Sequence, residues 1–134
     1  MVAINFMKQF VPKIEDGTKI HTLRDKARCK VGDKLQLYYG QRTKQCRLIK
    51  EVVCTAVVPV EFIVTREFDV PKAHWTINGK KLSSFDCADL AFGEGFEVQS
   101  LMRDWFWINK GPQWSGYLIA WGAAMYLPKQ KNGD

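Results

Sequence analysis

The sequence predicts an α+β fold, a small and partly open β-barrel of about six strands with two or three helices on one side. Three observations carry that expectation. Short β-branched runs recur along residues 2–83, separated by glycine-centred turns. The character changes at Ser84, where two helical stretches follow one another. A strand-like run, Tyr117 to Trp121, then closes the pattern.

Taken in order, residues 2–7 alternate as a first strand. Phe10 to Glu15 has Pro12 near its start and Asp16-Gly17 behind it, which predicts a helix of one or two turns. Gly17 permits a bend, and Ile20 to Arg24 reads as a short strand. Asp25 to Val31 is a charged connection, and Gly32-Asp33 a turn. Leu35, Leu37 and Tyr39 alternate with Gln36, Tyr38 and Gly40, as a half-buried strand does. Gln41 to Lys44 is a polar turn. Cys46 to Val64 is too rich in branched residues for a comfortable helix and reads as strand, broken near Pro59. Trp75-Thr76-Ile77, Asn78-Gly79 and Lys80-Lys81-Leu82 give the chain's strongest hairpin signal.

Ser84 or Asp86 is placed to cap a helix that runs through Ala91 and is interrupted by Gly93-Glu94-Gly95. Glu97 to Asn109 forms a second helix, with Leu101, Met102, Trp105 and Phe106 on one side, and Lys110-Gly111-Pro112 ends it. Most of the aromatic group from Phe92 to Trp121 is expected in the core. Gly122 to Leu127 is expected to extend the sheet. Residues 1–127 make a single domain, and 128–134 a flexible tail.

A chain of this length buries roughly two thirds of its unfolded surface and needs no metal or disulfide to fold. No apolar run approaches the roughly 18 residues of a membrane span, and residues 1–10 lack the plan of a signal peptide. The four cysteines, Cys29, Cys46, Cys54 and Cys87, form no C-x-x-C pair, and His21 and His74 stand apart, so a zinc site is not expected. Reduced thiols and a cytoplasmic location are the expectation, with Cys46 and Cys54 in the core. Charge is uneven. Residues 1–50 hold twelve Lys and Arg against four Asp and Glu, a balance of +8, whereas residues 51–134 hold eight against ten, a balance of −2. That asymmetry suggests an anionic partner for the first part, a nucleic acid or a phosphorylated ligand. A monomer is the expected state.

The densest chemistry lies in Gly17-Thr18-Lys19-Ile20-His21-Thr22-Leu23-Arg24-Asp25. Strand alternation points Thr22 and Arg24 the same way. Lys19 joins them only if the chain is still turning at 18–20, and His21 faces away. The plainer reading of this stretch is a basic surface strand. Glu94, flanked by glycines, is a carboxylate that a loop can deliver into a cleft, or else a solvated acid between helices. Tyr38 is placed to stack on a base. Arg42, Lys44 and Arg47 are placed to hold phosphates.

Together these pieces resemble an ASCH domain of the PUA-like superfamily, whose members are small RNA-associated barrels. The G-x-K-x-x-T-x-R signature is carried by Gly17, Lys19, Thr22 and Arg24. The turn and strand that follow it are Gly32-Asp33-Lys34-Leu35-Gln36-Leu37. The acidic element is Glu94-Gly95-Phe96, and the closing aromatic strand is Gly116 to Trp121. The likeness spans about residues 3–122. It implies a PUA-like barrel and RNA or a modified nucleoside as partner. In one bacterial branch it implies an amidohydrolase that removes the acetyl group of 4-N-acetylcytidine, with Lys19, Thr22 and Glu94 as the catalytic set. Arg24, Tyr38, Arg42, Lys44 and Arg47 are then the expected substrate-binding residues. No cofactor is implied there. A non-catalytic RNA-binding module and a ribonuclease assisted by a divalent metal are the other activities the family suggests. The 59–83 segment makes this chain longer than the compact amidohydrolases. Thr22 would attack the acetyl carbonyl, which requires loss of its proton. Either a neutral Lys19 accepts that proton, or Glu94 does and Lys19 stabilises the oxyanion.

Overall fold

The computed structural model describes residues 1–128. Its architecture is α+β, with eight strands in two sheets and three helices among the described residues. β1 (Val2–Phe6) leads through a short turn into α1 (Val11–Glu15), and β2 (His21–Arg24) follows. β3 (Lys34–Tyr39) and β4 (Arg47–Val53) pair antiparallel, and β1 lies parallel to β3, with Ile4 opposite Leu37. The parallel pair is possible because α1 and β2 supply a long crossover between its members. The second sheet has the order β2-β8-β5-β6-β7. It contains β5 (Ala56–Glu67), β6 (Val70–Ile77), β7 (Lys80–Lys81) and β8 (Gln113–Ala120), and α2 (Ser84–Glu94) and α3 (Gln99–Lys110) lie between β7 and β8 in sequence.

Several expectations are corrected. The break in the long valine-rich run falls at Cys54-Thr55, not at Pro59, which lies inside β5. Pro59 fits there because its carbonyl accepts from Asn78 at 2.9 Å, just beyond the end of β6. In a strand the N–H points to the same side as the carbonyl, so the missing N–H falls where the ladder has already ended. The β5–β6 ribbon runs on to a two-residue turn, Phe68-Asp69, with φ of 52° and 63°. Neither glycine nor asparagine marks that turn in the sequence. The Asn78-Gly79 hairpin forms as expected, with positive φ at both residues. α2 is capped by Ser83, whose hydroxyl accepts from the Asp86 N–H, and runs through Gly93 to end at Gly95. Gly122 to Leu127 forms turns, not strand. Cys54 is buried, but Cys46 is exposed. The expected tail lies outside the described residues apart from Pro128.

Two cores meet at β8. Leu118 faces a core of Phe62, Trp75, Leu90, Met102 and Phe106 beneath the helices. Ring contacts run from Phe62 through Trp75 and Phe106 to Trp114 at centroid distances of 4.5, 5.0 and 5.1 Å. Ile119, the next residue, faces Ile4, Phe10, Ile14, Leu35 and Leu37 on the other side. Trp105 packs at the margin of the first core, whereas Phe92 and Trp107 lie at the surface. Among the described residues, no helix is long and apolar enough to cross a membrane.

β8 passes beneath the Trp114 indole with no room to spare. A Cβ at Gly116 would lie 2.3 Å from the ring and 2.5 Å from the Arg24 carbonyl. Gly116→Ala is therefore expected to cost roughly 2–4 kcal/mol. A lowered urea midpoint checks this, and Gly32→Ala, which meets nothing within 4 Å but has a φ of 97°, provides a comparison for backbone strain alone.

Candidate active site

β2 sits at the edge of its sheet. Its inner side pairs with β8, His21 opposite Ala120 and Arg24 opposite Tyr117. Along its outer side runs the last turn of α2. The Ile20 N–H donates to the Gly93 carbonyl at 2.9 Å, and the Leu23 N–H donates to Glu94 Oε2 at 3.1 Å. The helix comes this close because residue 93 has no side chain. A Cβ there would lie 2.6 Å from Tyr126 Oη and 2.9 Å from His21 Nε2.

This docking drives Glu94 into the edge of β2. Its Oε1 lies 2.7 Å from His21 Nδ1. Its Oε2 lies 3.4 Å from Lys19 Nζ, and the Glu94 backbone carbonyl accepts from the same amine. Lys19 is 1% exposed and His21 0%. The Lys19 amine also sits over the Phe10 ring, 4.8 Å from its centroid. Lys13 donates to the Gly95 carbonyl at 2.8 Å, which pins the end of α2 from the other side.

Burial pulls the Lys19 ammonium down from its ordinary 10.5 to about 8, while the charge and hydrogen bond of Glu94 resist. Burial alone would raise the Glu94 carboxyl. The Lys19 charge, the His21 bond and the Leu23 N–H outweigh it and hold Glu94 below the ordinary carboxylate range. Burial lowers His21 below its usual 6.5 in spite of Glu94, which makes it a neutral imidazole near pH 7.

Thr22 and Arg24 share the other face of β2, as their spacing requires. Arg24 Nε donates to Thr22 Oγ at 3.1 Å, and a terminal guanidinium nitrogen donates to the Asn5 carbonyl at 2.8 Å. The guanidinium lies over Phe6, 5.1 Å from the ring centroid. Lys19, Thr22, Arg24 and Glu94 line one cavity of about 260 Å³. Phe6, Phe10, Phe96 and Trp105 supply its apolar walls, and Asp25 and Lys110 also border it. Asp25 accepts from Trp114 Nε1 at 2.6 Å and from Lys110 Nζ at 3.2 Å, which ties α3 to the end of β2.

The structure thus brings Lys19, Thr22, Arg24 and Glu94 together, with Glu94 on the last turn of a helix instead of a free loop. Tyr38, Arg42, Lys44 and Arg47 do not line this cavity. Tyr38 is half-buried on β3, separated from the cavity by β1. Arg42 and Lys44 lie in the β3–β4 turn, and Arg47 follows it, 3.7 Å from Glu15. Two residues of the cluster stand outside the expected site set. His21 does face away from Thr22, but Glu94 arrives edge-on and touches it all the same. Tyr126 was assigned to a strand extension, whereas its Oη lies 2.7 Å from His21 Nε2. A histidine inside the signature was a usable signal; nothing in the sequence marked Tyr126.

Among the described residues, no three His, Cys, Asp or Glu side chains group as a metal site. Comparison of the chain with protein-family models, with curated proteins and with solved structures finds no match.

Proposed function

We propose that this chain is an ASCH-type amidohydrolase that removes the acyl group from an acylated cytidine such as 4-N-acetylcytidine, acting as a cytoplasmic monomer. On this reading its two sheets are the halves of a PUA-like barrel. The observation that carries the proposal is the convergence of Lys19, Thr22, Arg24 and Glu94 on one cavity, with an amine whose pKa is lowered to about 8. A cavity of this size takes one small ring ligand, and its aromatic walls suit a planar base.

Thr22 Oγ attacks the amide carbonyl, and its proton passes to the neutral Lys19 amine. The carbon–nitrogen bond then breaks, and Lys19 returns the proton to the departing cytosine amine. A water, deprotonated by the same amine, hydrolyses the acyl-threonine. Arg24, already donating to Thr22 Oγ, stabilises the developing alkoxide. Glu94 is the weaker candidate for base. Both of its oxygens already accept hydrogen bonds, and its low pKa makes it a poor proton acceptor.

Purified protein is expected to release acetate from 4-N-acetylcytidine. Protein that leaves acetylated nucleosides intact would sink the proposal. A second reading, RNA binding without chemistry, is favoured by the +8 balance of residues 1–50 and by the exposed Arg42 and Lys44 in the β3–β4 turn. It predicts RNA affinity that falls with salt and weakens in Arg42→Ala and Lys44→Ala. Affinity indifferent to salt counts against it.

A further inference from the structure

Resting on that reading, we infer that His21, seated by Tyr126, is the positioning residue that holds the Glu94 carboxylate against the Lys19 amine. The geometry fixes the direction of each bond. A carboxylate only accepts, so the contact of 2.7 Å between Glu94 Oε1 and His21 Nδ1 needs a proton on Nδ1. A neutral imidazole carries one N–H, so Nε2 must accept, and the Tyr126 hydroxyl 2.7 Å away is the donor. The same hydroxyl has a second acceptor, the Asp89 carbonyl, but at 3.4 Å. The shorter contact wins, and the Nδ1–H tautomer follows.

Each end of the carboxylate is thereby assigned. Oε1 is held by His21, and Oε2 is left to the Leu23 N–H and to Lys19. Without His21, Oε1 loses its imidazole donor, and the carboxylate is free to turn about its last bond. The Lys19 amine would then lose part of the charge that faces it. The other cations near that amine are Arg24 and Lys13, and both act against its proton. Glu94 and its orientation therefore keep the proton on Lys19 against burial, Arg24 and Lys13. Tyr126 acts one step further out, by keeping the imidazole in the tautomer that can donate to Oε1. Gly93 belongs to the same device, because any side chain there would displace both rings.

The test has a readout that does not depend on catalysis. Long-range proton–nitrogen NMR of His21 is expected to show the Nδ1–H tautomer, and the Nε2–H form would overturn the proposal. The Lys19 side-chain carbon shifts, followed with pH, are expected to move to a lower midpoint by about one unit in His21→Leu. His21→Asn keeps an N–H close to the position of Nδ1 and is expected to restore the midpoint. Tyr126→Phe, which removes one oxygen, serves if His21→Leu does not fold, and it is expected to move the midpoint the same way by less. An unchanged midpoint in the folded variants overturns the proposal. Where acetate release is present, His21→Leu is expected to lower kcat about tenfold to a hundredfold with KM little changed. Wild-type protein inert on acetylated nucleosides, but showing the tautomer and the midpoint shift, would remove the amidohydrolase reading and leave the positioning role standing.

Discussion

Thr22→Ala is expected to reduce acetate release from 4-N-acetylcytidine by a factor on the order of 10³ or more. On the proposed mechanism the substitution removes the attacking atom, and it leaves the rest of the cavity in place. Water in its stead lacks the effective concentration of a hydroxyl fixed on a strand. The variant should still fold. Thr22 is buried, but its hydroxyl accepts from Arg24 Nε, and that guanidinium keeps its bond to the Asn5 carbonyl. The expected loss of stability is about 1 kcal/mol. Thr22→Ser restores a hydroxyl on the same carbon and is expected to recover most of the rate. Acetate release measured beside a thermal melt separates chemistry from unfolding. An alanine variant as active as the parent would show that Thr22 is not the nucleophile.

The second large effect is on pH. If Lys19 is the base, kcat/KM should rise with pH and level off above a midpoint near 8, because only the neutral amine accepts the threonine proton. The charge of Glu94 raises the Lys19 pKa, so Glu94→Gln should move this midpoint to lower pH while retaining measurable activity. If Glu94 were the base, the same substitution would abolish the reaction. The two assignments left open by the sequence therefore give opposite results in one experiment. Stability should carry the same signature. Lys19 is depressed in the folded state, so the unfolded chain binds its proton more tightly, and this group adds stability as pH rises from about 8 toward 10.5. Burial pushes the Cys54 thiol from 9 up to about 11, which works in the opposite direction above pH 9. The urea midpoint is thus expected to climb between roughly pH 7.5 and 9, and a flat or falling midpoint there would contradict the buried amine.

Much of this arrangement could be read from the residues. Period-two alternation located β1 and β3, the Gly17 bend and branched residues located β2, and Asn78-Gly79 located its hairpin, because local sterics decide those features. Spacing put Thr22 and Arg24 on one face of a strand and flanking glycines drew attention to Glu94, but it was the resemblance to the ASCH signature that joined Lys19, Thr22 and Glu94 into one set. What escaped reading depended on packing between distant segments. Gly93 looked like a helix breaker, yet it is the residue that lets α2 approach β2. Pro59 looked like an interruption, and the early end of β6 allows it inside a strand. Phe68-Asp69 turns without the usual residues because the long β5–β6 ladder imposes the conformation. Tyr126 reaches His21 through a turn whose course no local pattern announced. Tyr38 is a stacking candidate by its aromatic ring, and Arg42, Lys44 and Arg47 are phosphate-holding candidates by their charge, but β1 stands between β3 and the cavity.

The attachment of β2 has a consequence for biosynthesis. This short strand is held in its sheet through β8, and its free side is sealed by a helix that lies 75 positions away in the Lys19–Glu94 contact. A nascent polypeptide emerging from the ribosome therefore carries Lys19, Thr22 and Arg24 early but cannot assemble the cluster until β8 has been translated. A truncated product that stops before Tyr126 lacks one corner of it permanently. The assembled Lys19–His21–Glu94–Tyr126 cluster should consequently be among the last features gained on renaturation, after most of the secondary structure has returned.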